Sequence, residues 1–256
     1  MIFTDTHTHL YSEDLAEDLN EVMERTLDMG VERIFLPNID LESVQPMYDL
    51  VEAYPQNCFA MMGLHPCSVK DDYKEVLSKL KSELDSKDFV AVGEIGIDLY
   101  WDKSTLAIQQ DAFRIQIEWA KEKNLPIVIH CRDSYDEITE ILEVENDEKL
   151  KGIFHCFSGT TAQAERVIAL GDFFLGIGGV VTFKNSGLDK EIAPIELKHL
   201  VLETDSPYLT PAPHRGKRNE SSYIPLIAQK LADIYQVDIS KVADITTENS
   251  KKIFGC

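Results

Sequence analysis

A parallel (β/α)8 barrel of the TIM type is the α/β fold this sequence predicts, and three observations predict it. Eight short apolar runs recur along the 256 residues. Stretches of helical periodicity separate them. The runs are too uniformly apolar for a sheet with one face in water. An open doubly wound sheet is the rival, but it would normally show a glycine phosphate-binding fingerprint after an early strand. THTHLYSED, after the first run, has none.

The first run, IFTDTH at 2–7, leads into a stretch where Leu15, Leu19, Val22 and Met23 recur at helical spacing, up to a stop at Gly30. RIFLPN at 33–38, FAMMGLH at 59–65 and FVAVGEIG at 89–96 are the next three strands. The segment 105–124 is amphipathic, with Phe113, Ile117 and Ala120 on one face, and Pro126 opens the fifth strand, PIVIH at 126–130. GIFHCF at 152–157, FFLGIG at 173–178 after Gly171, and LVLETD at 200–205 complete the eight. The tail from 221 to 256 has the pattern of two closing helices. No linker, repeat or low-complexity tract divides the chain, so one domain spanning 1–256 is expected.

Composition narrows the function. A net charge of −20 works against broad electrostatic capture of duplex nucleic acid, so an anionic substrate would need a local positive site. No apolar run approaches the roughly 18 residues of a membrane span, and Met1 leads directly into a strand-like segment, so a cytoplasmic protein without membrane contact is expected. The five cysteines are odd in number and form no C-x-x-C pair, which suggests reduced thiols rather than a disulfide scaffold. Cys131 and Cys156 are expected to turn toward the helical layer as packing residues.

The histidines carry the chemistry. His7, His9, His130 and His155 fall in or just after predicted strands 1, 5 and 6, and His65 ends strand 3. In a barrel those ends converge on the face that carries active sites. Alternation puts Asp5 in phase with His7 and His9, while Thr6 and Thr8 face the helices. Glu94, between Gly93 and Gly96, is a costly carboxylate in an apolar strand unless it is paired or bound to metal. Strand 8 ends in LETD, with Glu203 and Asp205 on one face. Four imidazoles (His7, His9, His130, His155) and two carboxylates (Glu94, Asp205) exceed the needs of one ion. Two divalent cations roughly 3.5 to 4 Å apart, with Glu94 between them, would use the set.

These residues resemble the TatD family of metal-dependent hydrolases. D-x-H-x-H at 5–9, GLHP at 63–66, GEIGID at 93–98, IHCR at 129–132, HCFSG at 155–159, ETDSPYL at 203–209 and PHRGKRNE at 213–220 match it in order. The resemblance implies an amidohydrolase-type barrel and a metal-dependent deoxyribonuclease. It makes His7, His9, Glu94 and Asp205 ligands of one metal, Glu94, His130 and His155 ligands of the second, and His65 a substrate contact. The match departs after Glu220, where Ser221, Ser222 and Tyr223 stand in place of the usual proline.

The expected reaction is phosphodiester hydrolysis by a metal-activated water, with Asp205 and Glu94 as the catalytic carboxylates. Asp5 is expected to orient a ligand histidine and Glu203 to support the ligands from behind. The basic run His214, Arg215, Lys217 and Arg218 follows strand 8. From it Arg215, His214 and Lys217, together with Arg132, are candidate phosphate contacts, the guanidinium being suited to paired phosphate oxygens. So local a clamp suits single-stranded DNA ends and exonuclease-like trimming. Tyr100, Trp101 and Tyr208 are candidates for base stacking. Magnesium or manganese is expected for activity, with zinc as an alternative bound ion. The rival readings are an ester or amide hydrolase, such as a deacylase acting on aminoacyl-tRNA, and a metal-carrying scaffold without turnover.

Overall fold

Strand and helix alternate along the whole chain in the computed structural model, which describes residues 1–256. In order they are β1 (Phe3–Asp5), α1 (Leu19–Asp28), β2 (Val31–Pro37), α2 (Val44–Ala53), β3 (Cys58–Met61), α3 (Tyr73–Ser86), β4 (Val92–Asp98) and α4 (Leu106–Lys123). There follow β5 (Ile127–Arg132), α5 (Tyr135–Glu145), β6 (Gly152–Phe154), α6 (Thr161–Ala169), β7 (Phe173–Ile177), α7 (Leu188–Ile192), β8 (Leu200–Leu202), α8 (Ile224–Tyr235) and α9 (Ile239–Phe254). The last two are the closing helices the tail pattern predicts. No helix is long and apolar enough to cross a membrane.

All strand pairs are parallel, in the ladders β1-β2-β3 and β4-β5-β6-β7-β8. A bridge between Met61 and Ala91 joins the two ladders. On the other side the Thr6 N–H donates to the Leu202 carbonyl at 2.9 Å, which closes the round into a barrel.

Alternation sorts the core into two layers. Ile34 and Leu36 face the helices within a cluster of 56 buried residues. Phe35, Met61, Val128, Ile153, Phe174 and Val201 form a smaller cluster with Phe254, whose ring stacks on Phe35 at 3.9 Å. The C-terminal end of α9 thus packs into the barrel core, filling space that polar groups could not occupy cheaply.

Several strands end earlier than the sequence suggests. β1 stops at Asp5, β3 at Met61, β6 at Phe154 and β8 at Leu202, so His7, His9, His65, His155 and Asp205 stand on the segments leaving the strands. Two-residue alternation does not extend across those ends, and two expectations about side-chain direction fail for that reason, as described below. Within β4, the β4/β5 register shifts between Val92 and Ile95. Ala91 lies in the inner cluster whereas Ile95 and Ile97 pack with the helices, so the irregularity changes phase and turns Glu94 inward.

Candidate metal centre

Glu94 is 2% exposed, and five imidazoles surround it. The Nε2 atoms of His7, His155, His65 and His9 lie 3.2, 3.2, 3.3 and 3.6 Å from its carboxylate, and Nδ1 of His130 lies at 2.8 Å. Asp205 joins from beyond β8, its Oδ1 at 3.7 Å from His9 and 3.9 Å from His7. The structure therefore gathers His7, His9, Glu94, His130, His155 and Asp205 into one cluster, with His65 inside it. Three overlapping groups have donor atoms close enough to share an ion: His7, His9 and Glu94; His7, His155 and Asp205; and His65, Glu94 and His130.

Second contacts on the rings indicate which nitrogen faces inward. The Tyr11 hydroxyl donates to the Pro37 carbonyl, so it accepts from Nδ1 of His9 at 2.9 Å and leaves Nε2 as a lone pair toward the cluster. Nε2 of His130 contacts Asp98 at 2.9 Å, which turns Nδ1 inward. Nδ1 of His155 lies 3.3 Å from Glu203. Glu203 also accepts the Cys156 N–H, so it links the ring of His155 to the segment leaving β6. His65 is different: its Nδ1 accepts the Cys67 N–H at 3.1 Å, so Nε2 carries the hydrogen. It offers a donor where a metal ligand needs a lone pair.

The electrostatics follow the crowding. Burial, with His155 beside it, lowers His7 to about 4, and burial with His7 nearby lowers His9 to about 3. Burial alone would raise Glu94, but the imidazoles of His65, His155 and His7 outweigh it and hold the carboxyl well below its ordinary value. Burial, with Glu94 and Glu203 nearby and His155 opposing, pushes Asp205 up to about 7. Asp205 also has φ +56, a left-handed conformation uncommon outside glycine, which sets its carboxylate against His7 and His9.

These residues fit a divalent cation. Both ring nitrogens of fully buried His7 lack a hydrogen-bond partner, and its ring stacks on His155 at 3.6 Å. A buried polar atom without a partner is costly, and a cation among these donors would supply one. The match to the family model for TatD related DNase covers residues 4–255. The chain belongs to the TatD family.

Its TatD relatives span almost all of it. It is 42% identical over 255 residues, 99% of each chain, to a Bacillus subtilis (strain 168) protein named uncharacterized metal-dependent hydrolase YabD. It is 32% identical to the 3'-5' ssDNA/RNA exonuclease TatD of Yersinia pseudotuberculosis, over 98% of each chain. Among solved structures it resembles YJJV, a TatD homolog from Escherichia coli K12, with a TM-score of 0.93, 29% identity and coverage of 99% of this chain and 98% of that one.

Two expectations about this TatD-family site are corrected. Asp5 orients no imidazole: its carboxylate accepts from the Thr204 N–H and hydroxyl, the Ser221 hydroxyl and the His7 N–H, fastening β1 to the segments after β8. Burial pushes it up to about 7. Cys156, beyond β6 and with φ +49, does not continue the strand alternation on which its expected direction rested; with Cys131, Tyr135 of α5 and Gln163 of α6 it lines a cavity of about 430 Å³ that also touches His155. Both thiols remain free and are shifted up by burial, Cys131 to about 12.

The basic run is divided by its contacts. His214 stacks on Tyr223 at 4.6 Å and Arg218 is bound to Asp18 at 2.7 Å, so both hold the loop. Ser221 and Tyr223, where the chain departs from the family pattern, thus contact Asp5 and His214. Arg215 lies over the Phe183 ring at 3.7 Å and Arg132 over the Tyr100 ring at 3.8 Å. Neither has a carboxylate partner, unlike Arg25, Arg114, Arg166 and Arg218. Lys217 is exposed.

Asp98 and Tyr11 are the functional partners the sequence reading missed. Asp98 was legible, since it stands four residues after Glu94 and in phase with it. Asp98→Asn is expected to weaken metal binding by about 10- to 100-fold. A metal titration returning the wild-type affinity would show that His130 is held by something else.

Proposed function

We propose that the protein is a two-metal deoxyribonuclease that trims single-stranded DNA ends. The carrying observation is the ring of buried imidazoles around Glu94; Arg132 at the end of β5 and Arg215 in the segment after β8 are held on aromatic rings rather than paired with carboxylates. His7, His9, Glu94 and Asp205 would hold one cation, and Glu94, His130 and His155 the other. Magnesium or manganese would serve activity and zinc could be retained. When bound, the pair would supply a water of lowered pKa and positive charge near the phosphate oxygens.

The chain's own groups do the rest. Asp205, whose carboxylate faces His7 and His9 at the rim of the cluster, is placed to accept a proton from the attacking water. His65 presents its N–H to an oxygen of the substrate. Arg215 and Arg132 bind phosphate, with Lys217 beside them, while the acidic surface disfavours long duplexes. The TatD relatives named as ssDNA/RNA exonucleases support this substrate class. We also take residues 1–256 as one domain, working in the cytoplasm, where five free thiols would stay reduced.

The test is Asp205→Asn, reloaded with metal and assayed on a labelled single-stranded DNA oligomer. Its kcat should fall about 10²- to 10⁴-fold. Wild-type turnover would refute the assignment, and faster turnover of an aminoacyl ester or simple amide by the wild-type protein would replace the nuclease with a deacylase or amidase.

A further inference from the structure

The loop after β4 exposes two large aromatic side chains: Tyr100 is 54% and Trp101 72% exposed. Apolar rings left in water call for a reason when they stand at a site. Their rings meet edge to face, 4.9 Å apart at 90°. Arg132 lies 3.8 Å above Tyr100 and 5.6 Å from Trp101, so the guanidinium rests on an aromatic ring and its charge, with no carboxylate partner, stays free.

One carboxylate ties this loop to the metal centre. Asp98 contacts Nε2 of His130 through Oδ2 and accepts the backbone N–H groups of Tyr100 and Trp101 through Oδ1, at 3.0 and 3.4 Å. Whatever orients His130 therefore also orients the aromatic pair.

We propose that Trp101 is a stacking platform for one nucleobase beside the scissile phosphate, with Arg132 gripping the phosphate attached to that nucleotide. This rests on the nuclease reading and deepens it. An unpaired base has a face to offer anywhere along the strand, whereas a base inside a duplex has both faces stacked, so the platform favours single strands without reading sequence. Tyr100 serves as the support: one face carries Arg132, and its edge contact sets the angle of Trp101. Trp101 positions substrate and takes no part in bond breaking.

The test uses a labelled single-stranded oligothymidylate and the same oligomer with one abasic site moved along it. Trp101→Ala should raise KM about tenfold or more with kcat held, and Trp101→Phe should restore most of the loss. One abasic position should raise the wild-type KM by a similar factor and add nothing in Trp101→Ala. A second readout needs no turnover. Trp101 and buried Trp119 are the only tryptophans, so quenching by the oligomer in metal-stripped protein reports on Trp101.

Hydrolysis with an unchanged KM in Trp101→Ala, or with an abasic penalty that persists there, overturns the platform and leaves the nuclease intact. Quenching without hydrolysis by the metal-loaded wild type overturns the nuclease and leaves the platform. Neither signal overturns both.

Discussion

Glu94→Gln is expected to abolish metal retention at both positions and lower turnover of a single-stranded oligomer by more than about 10³-fold. The substitution keeps the shape and removes the charge. Five imidazole nitrogens converge within 3.6 Å of this carboxylate, and no second carboxylate reaches as many of them. Two cations held on either side of Glu94, as proposed, would repel each other, and an anion between them would let both stay. An amide offers one weak acceptor and puts its N–H₂ against ring nitrogens. Metal content by elemental analysis and turnover after reloading check this together. A variant that keeps two ions per chain would remove Glu94 from the bridging position.

The same substitution has a metal-independent signature. In stripped protein the Glu94 field, against the pull of burial, raises His65, His130 and His155 above 6.5, with Asp98 also acting on His130 and Glu203 on His155. A raised folded-state value contributes stability below the unfolded pKa that is lost as pH rises through the folded value. Unfolding free energy should therefore fall as pH rises above 6.5. His7 and His9, lowered to about 4 and about 3, act in the opposite sense below 6.5, since folding opposes their protonation. Asp5 and Asp205, pushed up to about 7, offset them over the same acid range, since they lose stability as pH rises toward 7, so the fall above 6.5 is the limb to read, and Glu94→Gln should flatten it. An unchanged slope in urea unfolding above pH 6.5 would show that the imidazoles do not feel Glu94.

The barrel was legible because each strand is a short apolar run, several follow a helix-stopping glycine or proline, and β1, β4, β5, β6 and β8 lead to candidate ligands at their outgoing ends. His7, His9, His130, His155, Glu94 and Asp205 could be grouped from that alone. Legibility failed where a strand ended or changed phase. Asp5 is the last residue of β1, so the step from Asp5 to His7 is not a strand step, and its carboxylate turns to Thr204 and Ser221. The irregularity in β4 left no mark in the residue types beyond its glycines, yet it aims Glu94 inward. His214 looked available because its stacking partner, Tyr223, lies beyond the basic run.

Gly96→Ala should cost about 2–6 kcal/mol of stability, a large part of the roughly 5–15 typical of a folded domain. Gly96 has φ +141, a conformation that residues with a side chain rarely adopt, and a strained residue there costs about 1–3 kcal/mol. A Cβ would also sit 2.1 Å from the His130 carbonyl oxygen on β5, the strand paired with it in register. That neighbour is backbone and cannot swing aside, so β5 must move, at about 1–3 kcal/mol for the overpacking. Gly171→Ala separates the two costs. Its φ is +114, but nothing lies within 4 Å of its Cβ position, so it should suffer the conformational penalty alone. Urea unfolding of the two variants should place Gly96→Ala well below Gly171→Ala, and only Gly96→Ala should also weaken metal binding, because displacing β5 displaces His130. Equal losses in the two would mean that the strands part without strain, and that Gly96 is required for its backbone angle and not for the close approach of β5 to β4.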